Sequence, residues 1–380
     1  MTSPGNRADV VVVGGGGMGS AAAAEIAARG RRVIVVDRFP PPHDRGSSHG
    51  QSRLIRLAYF EHPDYVPLLR RAYARWRDLE AESGRALLTE SGLLLVGPPE
   101  GEAIRGTLQA AGIHGLSLER LDTAATRVAC PLFELPDGWI SLVERCGGWL
   151  RVEDCVAAHV DRAVRYGARI DTGVTVHGWR CGGREIVIDT DRGTYAADRV
   201  VLAPGPWAGD LLQLPTVTFR VLRKGLFWFR PRARRRAEFA PGTLPCFAFD
   251  HPEGFFYGFP EIDGSGVKVA EHTGGTPIAD ALAVDRGIDD QELARVRRFL
   301  AAHVPAADGP PVRSAACLYT MSPDGHFLLG LHPADPRVAI AAGFSGHGFK
   351  FAAVVGEVLA DLALDGDTAL PIGFLSPTRF

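Results

Sequence analysis

The sequence predicts an α/β unit combined with a largely antiparallel β unit. Three observations carry that expectation. A glycine-rich strand–turn–helix–strand opens the chain, a second strand–glycine turn–helix lies near its end, and alternating β segments fill 216–316 between them. With 380 residues, the chain exceeds the roughly 100–200 residues of a single domain.

Residues 9–13 form an apolar strand that runs into Gly14-Gly15-Gly16-Gly17-Met18-Gly19, fitting G-x-G-x-x-G at Gly14, Gly16 and Gly19. An alanine-rich helix over 20–29 stops at Gly30, a second strand covers 32–36, and Asp37 stands at its end. In this order the glycines admit a pyrophosphate to bare backbone. The helix N-terminus offers unpaired N–H groups, and the Asp37 carboxylate accepts from ribose hydroxyls. The unit implies an ADP-containing cofactor and leaves NAD and FAD unseparated.

The polar stretch Gly46-Ser47-Ser48-His49-Gly50-Gln51-Ser52-Arg53-Leu54-Ile55-Arg56 is unlike a plain strand and reads as a solvated loop or a cofactor-lining segment. A helix over 67–83 follows, with Leu68, Leu69, Ala72, Tyr73, Trp76 and Leu79 as its buried stripe. Signals over 87–141 are mixed, with a strand at 93–96 and a helix at 102–111. A helix over 152–166 leads to strands at 175–179, 186–189, 194–196 and 199–202, the last entering a turn with Gly205 and Trp207. The β region holds strands at 225–229, 246–249, 255–259 and 267–270 and one helix, 290–303. The arginine-rich run 230–236 reads as a solvated loop.

Near the C-terminus, a strand over 337–342 meets Gly343-Phe344-Ser345-Gly346-His347-Gly348-Phe349-Lys350. Beyond it Phe351, Val354, Val355, Val358, Leu359 and Leu362 fall on one helical face, which ends near Gly366. Such a turn aims helix N–H groups at whatever lies above it.

Lysine is rare: Lys224, Lys268 and Lys350 are the three in the chain. A buried lysine can lose its proton where arginine cannot, so each merits attention. Lys268 lies mid-strand between valines, either snorkelling at an edge or held in a site. Cys317 by itself reads as a small buried hydrophobe.

Together these segments resemble the monomeric sarcosine oxidase group of flavin amine oxidases, which includes N-methyltryptophan and pipecolate oxidases. GSSHGQSRLIR, CLYTMSPDGHF and AAGFSGHGFKF carry the resemblance, in that order. It implies a glutathione-reductase-like FAD-binding domain made of 1–85, 147–215 and 317–380. A mixed or antiparallel substrate domain, 86–146 and 216–316, is inserted into it. It further implies FAD held covalently through Cys317, with Lys268 promoting reaction with O2 and Arg53 against the flavin. Arg56 and Lys350 would bind a substrate carboxylate, and Tyr257, His272, Tyr319 and Gly346 would line the substrate cavity. The implied cofactor contacts also take in Ser48, His49, Ser52, Val176, Gly205, Trp207, Gly343, Gly346, His347, Gly348, Phe349 and Lys350. Ala248 stands where sarcosine-preferring relatives often have a larger residue, which implies a roomier cavity.

The net charge of −2 and a pI near 6.6 speak against nucleic-acid or anionic-membrane partners. The six cysteines form neither a C-x-x-C pair nor a zinc pattern, which fits no metal and a reducing cytoplasm. No apolar stretch has the ~18 residues of a membrane span, no standard secretion signal opens the chain, and Thr378-Arg379-Phe380 is not a peroxisomal S-K-L tail. The expected activity is oxidation of the C–N bond of a small secondary amino acid, such as sarcosine or L-pipecolate, by a monomer that uses O2. Alternatives are a biosynthetic oxidase of a larger cyclic or N-methyl amino acid and a dinucleotide-binding regulator without catalysis.

Overall fold

In the computed structural model, which describes residues 4–380, strand Arg7–Val13 is enclosed by parallel neighbours on both sides. Val10 to Val13 pair with Val33 to Val36 on one side and with the 199–202 segment on the other. The sheet built on it has eight strands. In order across it run Val176–Gly182, Glu185–Thr190, Gly193–Leu202, Arg7–Val13, Val33–Asp37 and Arg169–Thr172. Asp335–Ala342 lies parallel to the end of Gly193–Leu202, and Leu328–His332 pairs antiparallel with it. The unbroken valine runs follow from burial on both faces.

Helices Gly17–Ala28, Val152–Arg165 and Ala352–Asp365 cover one face, and the small side chains of Ala21 to Ala24 are fully buried there. The first helix starts inside the glycine run, at Gly17 rather than at residue 20. There Gly19 is required: a Cβ on it would meet the Gly14 carbonyl oxygen at 1.8 Å. Among the described residues, no helix is long and apolar enough to cross a membrane.

The second sheet has nine strands, in the order Thr276–Ile278, Arg220–Phe229, Val267–Glu271, Gly254–Glu261, Cys246–His251, Leu93–Gly97, Ile140–Glu144 and Glu119–Leu121, with Pro311–Met321 along Arg220–Phe229. Strand alternation divides its faces. Phe227, Phe229, Phe247, Phe249 and Phe256 pack with Phe299 and Leu300 of helix Asp290–His303 on one side. Trp228, Ala248, Tyr257, Ala270, Cys317 and Tyr319 lie on the other.

Several elements differ from the sequence expectation. Ser52–Ile55 is a strand despite its polarity, because it pairs with Gly148–Arg151 in a three-stranded sheet that also holds Leu88–Thr89. Gly193–Leu202 is one strand where two short ones were expected, its middle kept extended by Arg7–Val13. Pro311–Met321 continues well past the expected 314–316 because Arg220–Phe229 pairs with it to Met321. Cys317 and Tyr319 therefore belong to the second sheet, and the expected boundary at 317 cuts through this strand. Arg235 and Arg236 in the run 230–236 pair with Glu238 and Glu261 at the surface.

Candidate active site

Two cavities meet at Tyr319. The larger, about 320 Å³, begins at Gly14, Gly16 and Gly17, passes Asp37 and Ser48, and ends at Arg53, Cys317 and Gly346. It is the kind of elongated cleft that takes a dinucleotide. Asp37 braces its entrance by accepting from the Gly15 N–H at 2.6 Å and the Phe39 N–H at 2.8 Å, and Ser48 Oγ accepts from the Gly17 N–H at 3.1 Å. Val176, Gly205 and Trp207 form one wall, and Gly343, Gly348 and Phe349 another. The 343–348 turn is tied to the second sheet by a bridge between Met321 and Phe344 and by the Ser345 N–H donating to the Thr320 carbonyl at 2.9 Å. Gly346 has φ +83°, and a Cβ there would collide with the Tyr319 ring at 2.2 Å, so this backbone can approach the tyrosine only as glycine.

Cys317 lies at the inner end of the cleft. Arg53 Nη2 is 3.2 Å from its Sγ and also donates to the Ser47 carbonyl at 2.9 Å, while Nη1 donates to the Ser52 carbonyl at 2.9 Å. Five residues expected at the cofactor stand back from this cleft. Gly19 packs under the glycine turn, and Ser52 is fully buried. His49 borders a separate polar recess with Arg286 and Arg313, while His347 and Lys350 face the second cavity.

That second cavity is lined at one end by Arg53, Arg56, Glu61, His347 and Lys350, and along its side by Tyr257, His272, Tyr319 and Gly346. Arg56 and Lys350 thus come together as expected. The two cations do not converge unopposed, because the protein supplies an anion itself in Glu61. Arg56 Nη2 donates to both Glu61 oxygens, at 2.9 and 2.7 Å. Burial favours the neutral Glu61, but Arg56, His347 and Lys350 outweigh it and hold the carboxyl below its usual range. Lys350 Nζ donates to the His347 carbonyl at 2.6 Å and to Tyr59 Oη at 3.2 Å. Burial, reinforced by Arg56, lowers Lys350 to about 7. His272 Nδ1 lies 3.3 Å from Tyr319 Oη. Burial lowers the histidine to about 3 and raises the tyrosine well above its usual value, so both are neutral at pH 7.

Lys268 lines neither cavity. It is 1% exposed, on a central strand, and its Nζ donates to the Gly50 and Ser52 carbonyls at 2.6 and 2.7 Å. It therefore grips the loop leading to Arg53. Burial, then Arg53, push it well below the usual lysine value. Lys224 pairs across strands with Cys317, lies 5.7 Å from the Tyr319 ring, and is lowered to about 8 by burial.

Sequence reasoning missed Tyr59, Glu61 and Glu144. Tyr59 Oη lies 2.7 Å from His347 Nδ1, and the buried Glu144 accepts from the main-chain N–H groups of Leu57 and Ala58, fixing the segment after Arg56. Glu61 follows Arg56 by five residues, a spacing that neither strand nor helix periodicity singles out.

The cleft has what FAD needs: glycine backbone and a helix N-terminus for the pyrophosphate, an acid at the ribose end, and a polar inner chamber beside a second, ligand-sized cavity. This arrangement defines a dinucleotide-dependent oxidoreductase. Residues 9–362 match the model of the FAD dependent oxidoreductase family, and the chain belongs to that family. Monomeric sarcosine oxidase of Streptomyces avermitilis is 40% identical over 357 residues, covering 93% of this chain and 92% of that protein. N-methyl-L-tryptophan oxidase of Yersinia pestis is 33% identical over 353 residues, covering 92% and 93%. Among solved structures, the open form of NikD, an unusual amino acid oxidase essential for nikkomycin biosynthesis, superposes with a TM-score of 0.85 at 30% identity over 98% of both chains. Glycine oxidase of Geobacillus kaustophilus, at 23% identity and a TM-score of 0.82, shares the fold.

Proposed function

We propose that the chain is an FAD-dependent amine oxidase that oxidises the C–N bond of a small secondary amino acid, N-methylated or cyclic, such as sarcosine or L-pipecolate. It acts as a cytoplasmic monomer with O2 as acceptor, and its FAD is tethered through Cys317 Sγ. The first sheet with its helices serves as the cofactor domain, the second as the substrate domain. The observation that carries this reading is the meeting of Arg56 and Lys350 in one cavity that shares Arg53, Tyr319 and Gly346 with the cofactor cleft. The similarity to the sarcosine and N-methyl-L-tryptophan oxidases supports it.

Bound FAD supplies the redox chemistry, taking two electrons from the amine and passing them to O2, with H2O2 and a hydrolysable imine as products. The protein's part is to bind and orient. Arg56 and Lys350 fix the substrate carboxylate, which sets the reacting carbon in one place. His272 and Tyr319, both neutral, offer hydrogen bonds to the amine, and Tyr257 closes the side of the cavity. Arg53 holds Cys317 and the inner wall. Lys268 Nζ, held by the Gly50 and Ser52 carbonyls, would act on the reduction of O2 through the charge it carries when protonated.

The test compares kcat/KM for an N-methyl amino acid and its amide, with H2O2 formation as the readout and sarcosine, L-pipecolate and L-proline as the first panel. The free acid is expected to be at least tenfold better. Equal turnover of acid and amide overturns the carboxylate reading and leaves a general amine oxidase.

A further inference from the structure

Lys224 is buried on strand Arg220–Phe229, where it pairs with Cys317, and Leu222, two residues earlier, pairs with Tyr319. Paired residues share a face of a sheet, so the lysine stands on the face that carries the site. Its Nζ donates to the Thr273 carbonyl and lies 5.7 Å from the centre of the Tyr319 ring, within the range of a cation–π contact. Thr273 follows His272, whose Nδ1 lies 3.3 Å from Tyr319 Oη. One ammonium group therefore touches both halves of the pair that lines the substrate cavity. It meets the histidine through the next carbonyl along the chain and the tyrosine through its ring.

The turn after His272 is built around this lysine. Gly275 has φ +111°, and a Cβ on it would stand 2.7 Å from Lys224 Cδ and 3.0 Å from the Arg223 carbonyl oxygen. Only glycine lets the chain fold down onto the lysine stem there. Beyond it Thr276 pairs with Arg223, and on the near side the His272 N–H donates to the Phe255 carbonyl at 2.6 Å. Burial lowers Lys224 to about 8, and it is largely charged at pH 7. The carboxylates that support its proton, Glu271 and Glu292, are themselves paired with Arg295 at 2.7 Å and Arg223 at 2.5 Å. Its directional bond thus goes to Thr273, and a charged donor makes that bond a strong one.

We propose that Lys224 is a positioning residue for amine oxidation: by gripping the Thr273 carbonyl and facing the Tyr319 ring, it holds the His272–Tyr319 pair where the two side chains meet the substrate amine. It acts through that pair and not on the carboxylate, which Arg56 and Lys350 receive at the end of the cavity. This rests on the amino-acid reading above.

Two measurements on the holoenzyme test this. In ring-nitrogen NMR of histidine-labelled protein, with the His272 signal assigned from His272→Gln, Lys224→Met is expected to move the His272 Nδ1 resonance as its contact with Tyr319 opens. In stopped flow, Lys224→Met is expected to slow anaerobic flavin reduction by the best secondary amino acid of the panel about ten- to a hundredfold, as a misplaced contact does. Its affinity for propanoate, a ligand without an amine, is expected to stay unchanged. In a Tyr319→Phe background the same substitution is expected to add little, because both act through one pair. Lys224→Gln can still donate to the carbonyl and is expected to keep part of the rate; it is the second variant should the methionine protein not fold. An unmoved His272 signal, equal losses of reduction rate and propanoate affinity, or full additivity with Tyr319→Phe overturns the proposal. If the signal moves but no secondary amino acid reduces the flavin, the grip on the pair stands and the amino-acid reading falls.

Discussion

Arg56 and Glu61 hold each other in the substrate cavity, with guanidinium Nη2 donating to both carboxylate oxygens and side chains only 9% and 14% exposed. An arriving substrate carboxylate therefore exchanges with an internal one rather than meeting a free cation. The exchange lowers affinity, since each charge-assisted hydrogen bond contributes about 1.5–3 kcal/mol. Glu61→Gln keeps the shape and removes the competing charge. It is expected to tighten binding of a carboxylate inhibitor about tenfold, read by flavin absorbance titration. Unaltered affinity in the variant assigns Arg56 to holding the 56–61 segment and not to the ligand.

Cys317 meets the cofactor cleft from the second sheet, with Arg53 Nη2 3.2 Å from its sulfur. The guanidinium fixes where the sulfur sits at the inner end of the cleft. The yellow colour is expected to remain with the acid-precipitated protein and to pass into the supernatant for Cys317→Ser. Arg53→Met is expected to slow covalent incorporation when FAD is added to apoprotein. Native flavin found wholly in the supernatant refutes the tether.

Lys268 donates to the Gly50 and Ser52 carbonyls from a fully buried position. If its charge serves the reduction of O2, Lys268→Met slows reoxidation by at least tenfold while anaerobic reduction by substrate changes little. Stopped-flow measurement of the two half-reactions decides. Equal slowing of both makes Lys268 a brace for the loop that carries Arg53.

Much of this was legible in the sequence because the pieces are local. The glycine turn at 14–19 and the turn at 343–348 each sit between a strand and a helix, so their neighbours along the chain dictate their form. Ser52–Ile55 was not legible, since its pairing with Gly148–Arg151 joins segments far apart in sequence and overrides a polar composition. Cys317 and Tyr319 were placed in a motif but not in a strand, because Arg220–Phe229, a distant partner, extends the pairing to Met321. The pairing of Glu61 with Arg56 and the grip of Glu144 on the segment between them depend on how that segment turns back on itself, which no periodic pattern records. Even Lys268, whose rarity drew notice, turned out to contact the Arg53 loop rather than either cavity.

Lys350 makes the carboxylate clamp sensitive to pH. Burial, then Arg56, lower it to about 7, and Glu61 opposes them. Below that pH the lysine is charged and meets a carboxylate as a cation; above it, a ligand must first restore the proton. The dissociation constant of a carboxylate inhibitor is therefore expected to be level below about pH 7 and to rise up to tenfold per pH unit above it. The neighbouring groups do not mimic this bend. His347 is lowered to about 4 and His272 to about 3, both by burial, and Glu61 titrates below its ordinary carboxyl range. Lys350→Gln is expected to remove the bend and to weaken binding at about pH 6 by at least tenfold, the lower end for one charge-assisted contact. Glu61→Gln withdraws the charge that supports the lysine's proton, so the bend is expected at lower pH in that variant. Flavin absorbance titrations from about pH 6 to about pH 9 on the three proteins test this. A wild-type curve without a bend would mean that the carboxylate is held by Arg56 and that Lys350 serves only to anchor Tyr59 and the His347 carbonyl.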